Sequence, residues 1–243
     1  MSFSTAESPA VPSPSAPLFK RWRLILFDFD GTLVDSQHGI RHCMTAAFEG
    51  HGLAAPEMAR IRGVVGLALE VAISELLPLE ARRHTPAVAQ RYRDAALALR
   101  SSEAFHEPLF DGARDTLAQL DRPELCLGIA TGKNLRGLQF SLQYHGLKEH
   151  FMTLHTPDTA PSKPHPAMVE HAMAACGCGP EETVVIGDTS FDMEMARAAK
   201  AGALGVSWGY HPVDRLQISG AQAIIKEFNE LVPALQKLEE VSR

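Results

Sequence analysis

The stretch Arg23-Leu24-Ile25-Leu26-Phe27-Asp28-Phe29-Asp30-Gly31-Thr32-Leu33-Val34-Asp35 decides how the chain folds. Its apolar run, Leu24 to Phe27, is of the kind that forms a strand buried on both faces. Two aspartates follow, two positions apart, with Gly31 and Thr32 behind them. In a parallel sheet, ligands bind at the carboxyl ends of the strands, so Asp28 and Asp30 are expected side by side at the mouth of a crevice. A carboxylate there can serve as nucleophile or metal ligand, and a second one two residues on as its acid/base partner. Gly31 permits the turn that points both the same way. Taken alone, Asp-x-Asp-Gly-Thr is equally a polar turn closing a strand. The rest of the chain has to decide.

Beyond Asp35 the character changes. Ser36 is a plausible N-cap for a helix through about Gly50. From there to about Arg100 the sequence is rich in Ala, Leu, Arg and Glu and has no strand-like run. Val71 to Leu77 and Thr85 to Arg100 carry helical apolar spacing. A helical cap, from about Ser36 to Phe105, is therefore expected between the first strand and everything after it.

The second half alternates. Helices are expected at Asp111 to Leu120, Asn134 to His145, Pro166 to Cys176, Phe191 to Ala201 and Glu227 to Leu238. Strands are expected at Glu124 to Ala130, Phe151 to Leu154, Thr183 to Ile186 and Ala203 to Ser207, with Gln222 to Ile225 as a last edge strand. Such alternation implies right-handed βαβ units and a parallel sheet covered on both faces.

Bulk properties narrow the function classes. The 243 residues are 45% hydrophobic and 21% charged, which suits one large globular domain or a core with an insert. A net charge of −6 without a basic block argues against a nucleic-acid partner, and no apolar run is long enough to span a membrane. Met1 to Leu18, rich in Ser, Pro and Ala, lacks the basic start and apolar centre of a secretory signal. It is expected to be a disordered tail, and the protein cytoplasmic. Cys43 and Cys126 sit in apolar surroundings as core thiols, while Cys176-Gly-Cys178 has no second pair nearby.

Three further strand ends carry polar residues suited to the same site. Thr131-Gly132-Lys133-Asn134 places a hydroxyl and a glycine N–H at a helix N-terminus, a natural phosphate cradle and also an ordinary cap. Ser162-Lys163-Pro164-His165-Pro166 holds Lys163 between prolines that restrict its backbone. Lys163 so placed can neutralise a carboxylate and an incoming phosphate together. Gly187-Asp188-Thr189-Ser190-Phe191-Asp192 brings two more acids, which beside Asp28 and Asp30 repel unless a cation sits among them. Mg²⁺, a hard ion that takes carboxylate oxygens, water and phosphate, is the economical answer. Capping is the alternative reading of the same acids.

Together and in this order, these motifs resemble the haloacid-dehalogenase superfamily of phosphohydrolases: Asp28-Phe-Asp30-Gly-Thr-Leu its first motif, Thr131 its second, Lys163 its third, Gly187-Asp188 with Asp192 its fourth. The likeness spans the chain from about Arg23 onward. The segments Leu33-Val-Asp-Ser36, Pro157 to Pro166 and Gly187-Asp-Thr are similar to phosphoglycolate-phosphatase-like members. The resemblance implies a Rossmann-like parallel core (residues 19–35 and 106–243) with helices on both faces and an inserted α-helical cap of the first type (residues 36–105). It implies that Asp28 attacks phosphorus, that Asp30 acts as acid and then base, and that Thr131 and Lys163 bind the transferring group. Mg²⁺ would be held by Asp28, the Asp30 carbonyl and Asp188, with Asp192 a ligand directly or acting through water or Lys163. Gly132 would join Thr131 and Lys163 in binding substrate. The loop Arg60 to Leu67 lies where such caps present specificity residues, and Arg62 is either a partner for a substrate anion or a solvated arginine. Lys133 and Asn134 are weaker candidates, Asn134 also as an N-cap. The implied substrate is a small phosphorylated metabolite, the implied assembly a monomer or homodimer. A β-phosphoglucomutase-like phosphomutase or a pyrophosphatase would share the same motifs, whereas dehalogenases lack the second aspartate.

Overall fold

The computed structural model describes residues 16–241. Most of the tail expected over Met1 to Leu18 lies outside them, and Leu18 itself packs, partly buried, against the core. In chain order the elements are β1 (Leu24–Phe27), α1 (Gln37–Glu49), α2 (Met58–Arg62), α3 (Leu69–Leu76), α4 (Thr85–Arg100), α5 (Ala113–Leu120) and β2 (Cys126–Ala130). Then follow α6 (Leu135–His145), β3 (Thr153–His155), α7 (Ala167–Cys176), β4 (Thr183–Gly187), α8 (Ser190–Ala198) and β5 (Gly202–Val206). The last are α9 (Val213–Ile218), β6 (Ala223–Ile225) and α10 (Leu231–Val241).

The strands form one parallel six-stranded sheet in the order β3-β2-β1-β4-β5-β6. Its centre is β1, where Leu26 pairs with Gly128 of β2 on one side and Val185 of β4 on the other. The chain winds outward from β1 in both directions, so the crevice of a doubly wound sheet opens at the end of β1. Because strand side chains alternate, Ile25 and Phe27 enter the core layer shared with α5, α6 and α10. Leu24 and Leu26 enter the opposite layer, with Met168 of α7 and Met193 of α8. Helices α1 to α4 have a core of their own, in which Met44 and Phe48 of α1 meet Ile61, Ile73 and Val88. No helix among the described residues is long and apolar enough to cross a membrane.

Several local expectations shift. Ser36 occupies the N-cap position of α1 without capping it; its hydroxyl lies 3.2 Å from the Tyr210 hydroxyl. The C-terminal helix is divided into a 3₁₀ turn, Phe228–Glu230, and α10. Pro233 explains the division: its missing N–H is tolerated only in the first turn of an α-helix, so α10 begins just before it. Cys126 is half-buried rather than in the core, its Sγ donating to the Met152 sulfur at 3.5 Å; all four cysteines are free thiols. This sulfur group lies at the start of β2, away from the strand ends that carry the acids.

Candidate active site

Asp28 follows directly on β1, its N–H donating to the Ile186 carbonyl of β4 (2.8 Å), and is 1% exposed. The chain then turns tightly, Gly31 N–H donating to the Val34 carbonyl (2.9 Å). Gly31 has φ +96°, and a Cβ there would stand 2.4 Å from Asp188 Oδ2. Both left-handed backbone and close approach therefore demand glycine.

The turn delivers the acids into one buried cluster. Lys163 Nζ, wholly buried, sits 2.6 Å from Asp28 Oδ1 and 2.5 Å from Asp192 Oδ1. Asp192 Oδ2 accepts from the Thr189 hydroxyl (2.6 Å) and N–H (3.0 Å), so the capping reading of that acid holds together with its pairing to lysine. Asp188 accepts the Thr32 hydroxyl on Oδ1 and the Tyr210 N–H on Oδ2, both at 2.8 Å. Asp28 Oδ2 has no hydrogen-bond partner among the described residues.

Charge makes this cluster unusual. Burial raises the Asp28 carboxyl to about 7; Lys163 opposes the shift and Asp192 and Asp30 add to it. Burial, then Asp28 and Asp192, push Asp188 well above the ordinary carboxylate range. Desolvation draws Lys163 down, but Asp192 and Asp28 outweigh it and hold the ammonium above its usual range. Asp28, Asp188 and Asp192 each bring an oxygen within 4.8 Å of the others. Three carboxyl groups against one ammonium resist full ionisation in a dehydrated space, and a divalent cation would supply the positive charge they lack. The donor set is all oxygen, as a hard ion requires.

Asp30 belongs to a neighbouring pair of charges. Lys133 Nζ lies 2.6 Å from Asp30 Oδ1 and 2.9 Å from Glu107 Oε1. Lys133 is thus an internal counter-ion, held above its usual range by the two acids in spite of burial. Asn134 is an N-cap, its Oδ1 accepting from the Gly137 N–H at 2.8 Å. Thr131 is buried beside them, at the end of β2, its hydroxyl accepting from the Lys133 N–H at 3.2 Å.

Over these groups lies a cavity of about 830 Å³, floored by Asp28, Asp30 and Thr131 and roofed by α3, α4 and the loop before α3. That loop touches the sheet's strand-end loops: Ala68 N–H donates to Ser162 Oγ (2.9 Å), and a Cβ on Gly132 would stand 2.5 Å from the Leu67 carbonyl. Gly132 is therefore a site of close backbone approach between the two layers. Arg62 is not brought to this cavity. Its guanidinium is exposed and hydrogen-bonds Gln37, because the last turn of α2 faces α1 rather than the sheet; the lining arginines are Arg93, Arg100 and Arg136. Glu107 and Tyr210 carry no motif that sequence reading could have found, since each acquires its place only through the fold.

A family model described as haloacid dehalogenase-like hydrolase matches residues 25–206. The chain is 34% identical over 225 residues to a probable phosphatase, IndB, of Dickeya dadantii, covering 90% of this chain and 96% of the relative. It is 28% identical to a phosphoglycolate phosphatase of Photorhabdus laumondii, covering 91% of this chain and 95% of that one. Among solved structures, a haloacid dehalogenase-like family hydrolase from Streptococcus pneumoniae superposes with a TM-score of 0.77 at 28% identity, over 88% of this chain and 99% of the other. With strand-end carboxylates, buried lysine and parallel sheet all in register with that likeness, the chain belongs to the haloacid dehalogenase-like hydrolase family.

Proposed function

We propose that the protein is a Mg²⁺-dependent phosphatase that hydrolyses a small phosphorylated metabolite through an aspartyl-phosphate on Asp28. The observation that carries this reading is the state of Asp28: one oxygen is held by Lys163 at 2.6 Å and the other has no hydrogen-bond partner among the described residues. An oriented, desolvated carboxylate with a lone pair free is suited to attack phosphorus. Membership of the family and the phosphatase names of its relatives support the reaction class.

Asp28, Asp188 and the Asp30 carbonyl would hold the ion, which supplies charge neutralisation to the phosphoryl group. Lys163 balances Asp28 and the equatorial oxygens, and Thr131 offers its hydroxyl to the same oxygens. Asp30, oriented by Lys133, protonates the leaving oxygen and then accepts the proton of the attacking water. The helices between Ser36 and Phe105 act as a cap, closing the cavity over the substrate and keeping bulk water out while the phosphoryl group passes to Asp28.

Phosphate release across a panel of phosphorylated metabolites, 2-phosphoglycolate included, tests the reading. Release is expected with Mg²⁺ and is lost in EDTA. Release independent of divalent cations, or isomerised sugar phosphate without free phosphate, overturns it. Replacing Asp30 by Asn is expected to lower kcat by about a hundred- to ten-thousandfold, the range for a lost general acid/base; an unchanged pH–rate profile in that variant removes Asp30 from the role. Gly132→Ala is expected to raise KM at least tenfold, because the added methyl pushes the cap loop away, while overpacking costs only about 1–3 kcal/mol of stability. Steady-state kinetics beside thermal melts checks it, and wild-type kinetics would show that closure over Gly132 is not needed.

A further inference from the structure

The catalytic groups occupy only the floor of the cavity. A two-carbon phosphoglycolate displaces roughly five waters, about 150 Å³ at about 30 Å³ each, whereas the space is about 830 Å³. The remainder is walled by α4, whose Tyr92, Ala96 and Arg100 follow one another at helical spacing along the cavity. Ala96 leaves room between two polar side chains.

Arg100 is the unusual member. It is half-buried, yet among the described residues it makes no ion pair and no hydrogen bond, resting instead with its guanidinium carbon 5.7 Å from the Phe140 ring centroid. The neighbouring arginine of the same helix, Arg93, has Glu70 as its partner. A Cβ on Gly137 would stand 2.7 Å from an Arg100 terminal nitrogen, so the guanidinium lies over the first turn of α6, just beyond Thr131 to Asn134. Among the described residues no hydrogen bond joins the half-buried Tyr92 hydroxyl to the protein, and burial pushes that phenol up, which keeps it protonated as a donor. Half-desolvated cations and donors without protein acceptors are matched by an anion from elsewhere.

We propose that Arg100, with Tyr92, binds a second acidic group of the substrate, making the preferred substrate a phosphomonoester of phosphosugar-acid size rather than a two-carbon one. This rests on the phosphatase reading, and it names the substrate class of the same site. The test compares 6-phosphogluconate, glucose 6-phosphate and 2-phosphoglycolate as substrates of the wild type, Arg100→Gln and Arg100→Lys. Wild-type kcat/KM is expected to be at least tenfold higher for 6-phosphogluconate than for either of the others. Arg100→Gln is expected to reduce that preference ten- to hundredfold through KM, and Arg100→Lys to restore part of it. Equal turnover of all three by the wild type, or an equal loss on all three in Arg100→Gln, overturns the proposal. Calorimetry with the Asp28→Asn chain and Mg²⁺ separates the two readings, since binding there needs no turnover. Tighter binding of 6-phosphogluconate than of glucose 6-phosphate, abolished by adding Arg100→Gln, upholds the acid site even if no ester is hydrolysed. Equal binding of the two sinks the acid site and leaves the phosphatase reading standing.

Discussion

Replacing Asp28 by Asn is expected to abolish phosphate release, to below about one part in ten thousand of the wild type, and to leave the fold intact. The amide oxygen is a poor nucleophile, and the neighbouring acids are held by other partners: Asp30 by Lys133, Asp192 by Lys163 and the Thr189 cap, Asp188 by Thr32 and Tyr210. The variant also removes one of three mutually repelling buried carboxylates, the one whose carboxyl burial raises to about 7. Its thermal midpoint in EDTA is therefore expected at or above that of the wild type. Single-turnover release and thermal melts check both halves together. Retained turnover would show that another group attacks phosphorus. A collapsed melting transition would show that Asp28 has a structural role that its electrostatics do not predict.

The order of elements and the six acids and polar residues at strand ends could be read from sequence because both signals are local. Leu24 to Phe27 and Thr183 to Ile186 are short apolar runs ended by Asp, and parallel winding brings such ends together whatever the loops do. Asp28, Asp188 and Asp192 accordingly stand within one buried cluster. What local reading could not reach depends on helix rotation and long-range return of the chain. Arg62, beside a glycine in a loop suited to specificity, is turned toward Gln37, whereas Arg100, in the last turn of an unremarkable Ala- and Leu-rich helix, is turned inward. Glu107 meets Lys133 only because the chain leaving the helical insert runs back past the end of β2. Lys133 has the look of a substrate contact until Asp30 and Glu107 are seen to occupy it.

Replacing Lys163 by Met gives the second large effect, and it differs from that of Asp28→Asn in sign. The side chains are similar in length, so the lysine's space is filled, but Asp28 and Asp192 lose the ammonium at 2.6 and 2.5 Å from them. Removing one partner of a buried ion pair typically costs about 3–5 kcal/mol, so the chelated variant is expected to melt well below the wild type, whereas Asp28→Asn does not. The deficit depends on pH. Lys163 lowers the Asp28 carboxyl, which even so stands at about 7, and without it that carboxyl rises further. A carboxyl raised above its unfolded value is protonated more readily in the folded chain, so its contribution declines as pH rises from the unfolded value through the folded one. The loss of stability in Lys163→Met is therefore largest at pH 8 and shrinks toward pH 5, where protonation neutralises what the lysine balanced. Activity is expected to fall about a hundred- to thousandfold, the range for removing one charged or oxyanion-type donor. Denaturant melts of both proteins in EDTA at pH 5 and 8 decide the matter. A variant equal to the wild type at pH 8 would mean that Lys163 does not balance the Asp28 and Asp192 carboxyls in the folded chain, and the role given to the lysine in the site would lose its ground.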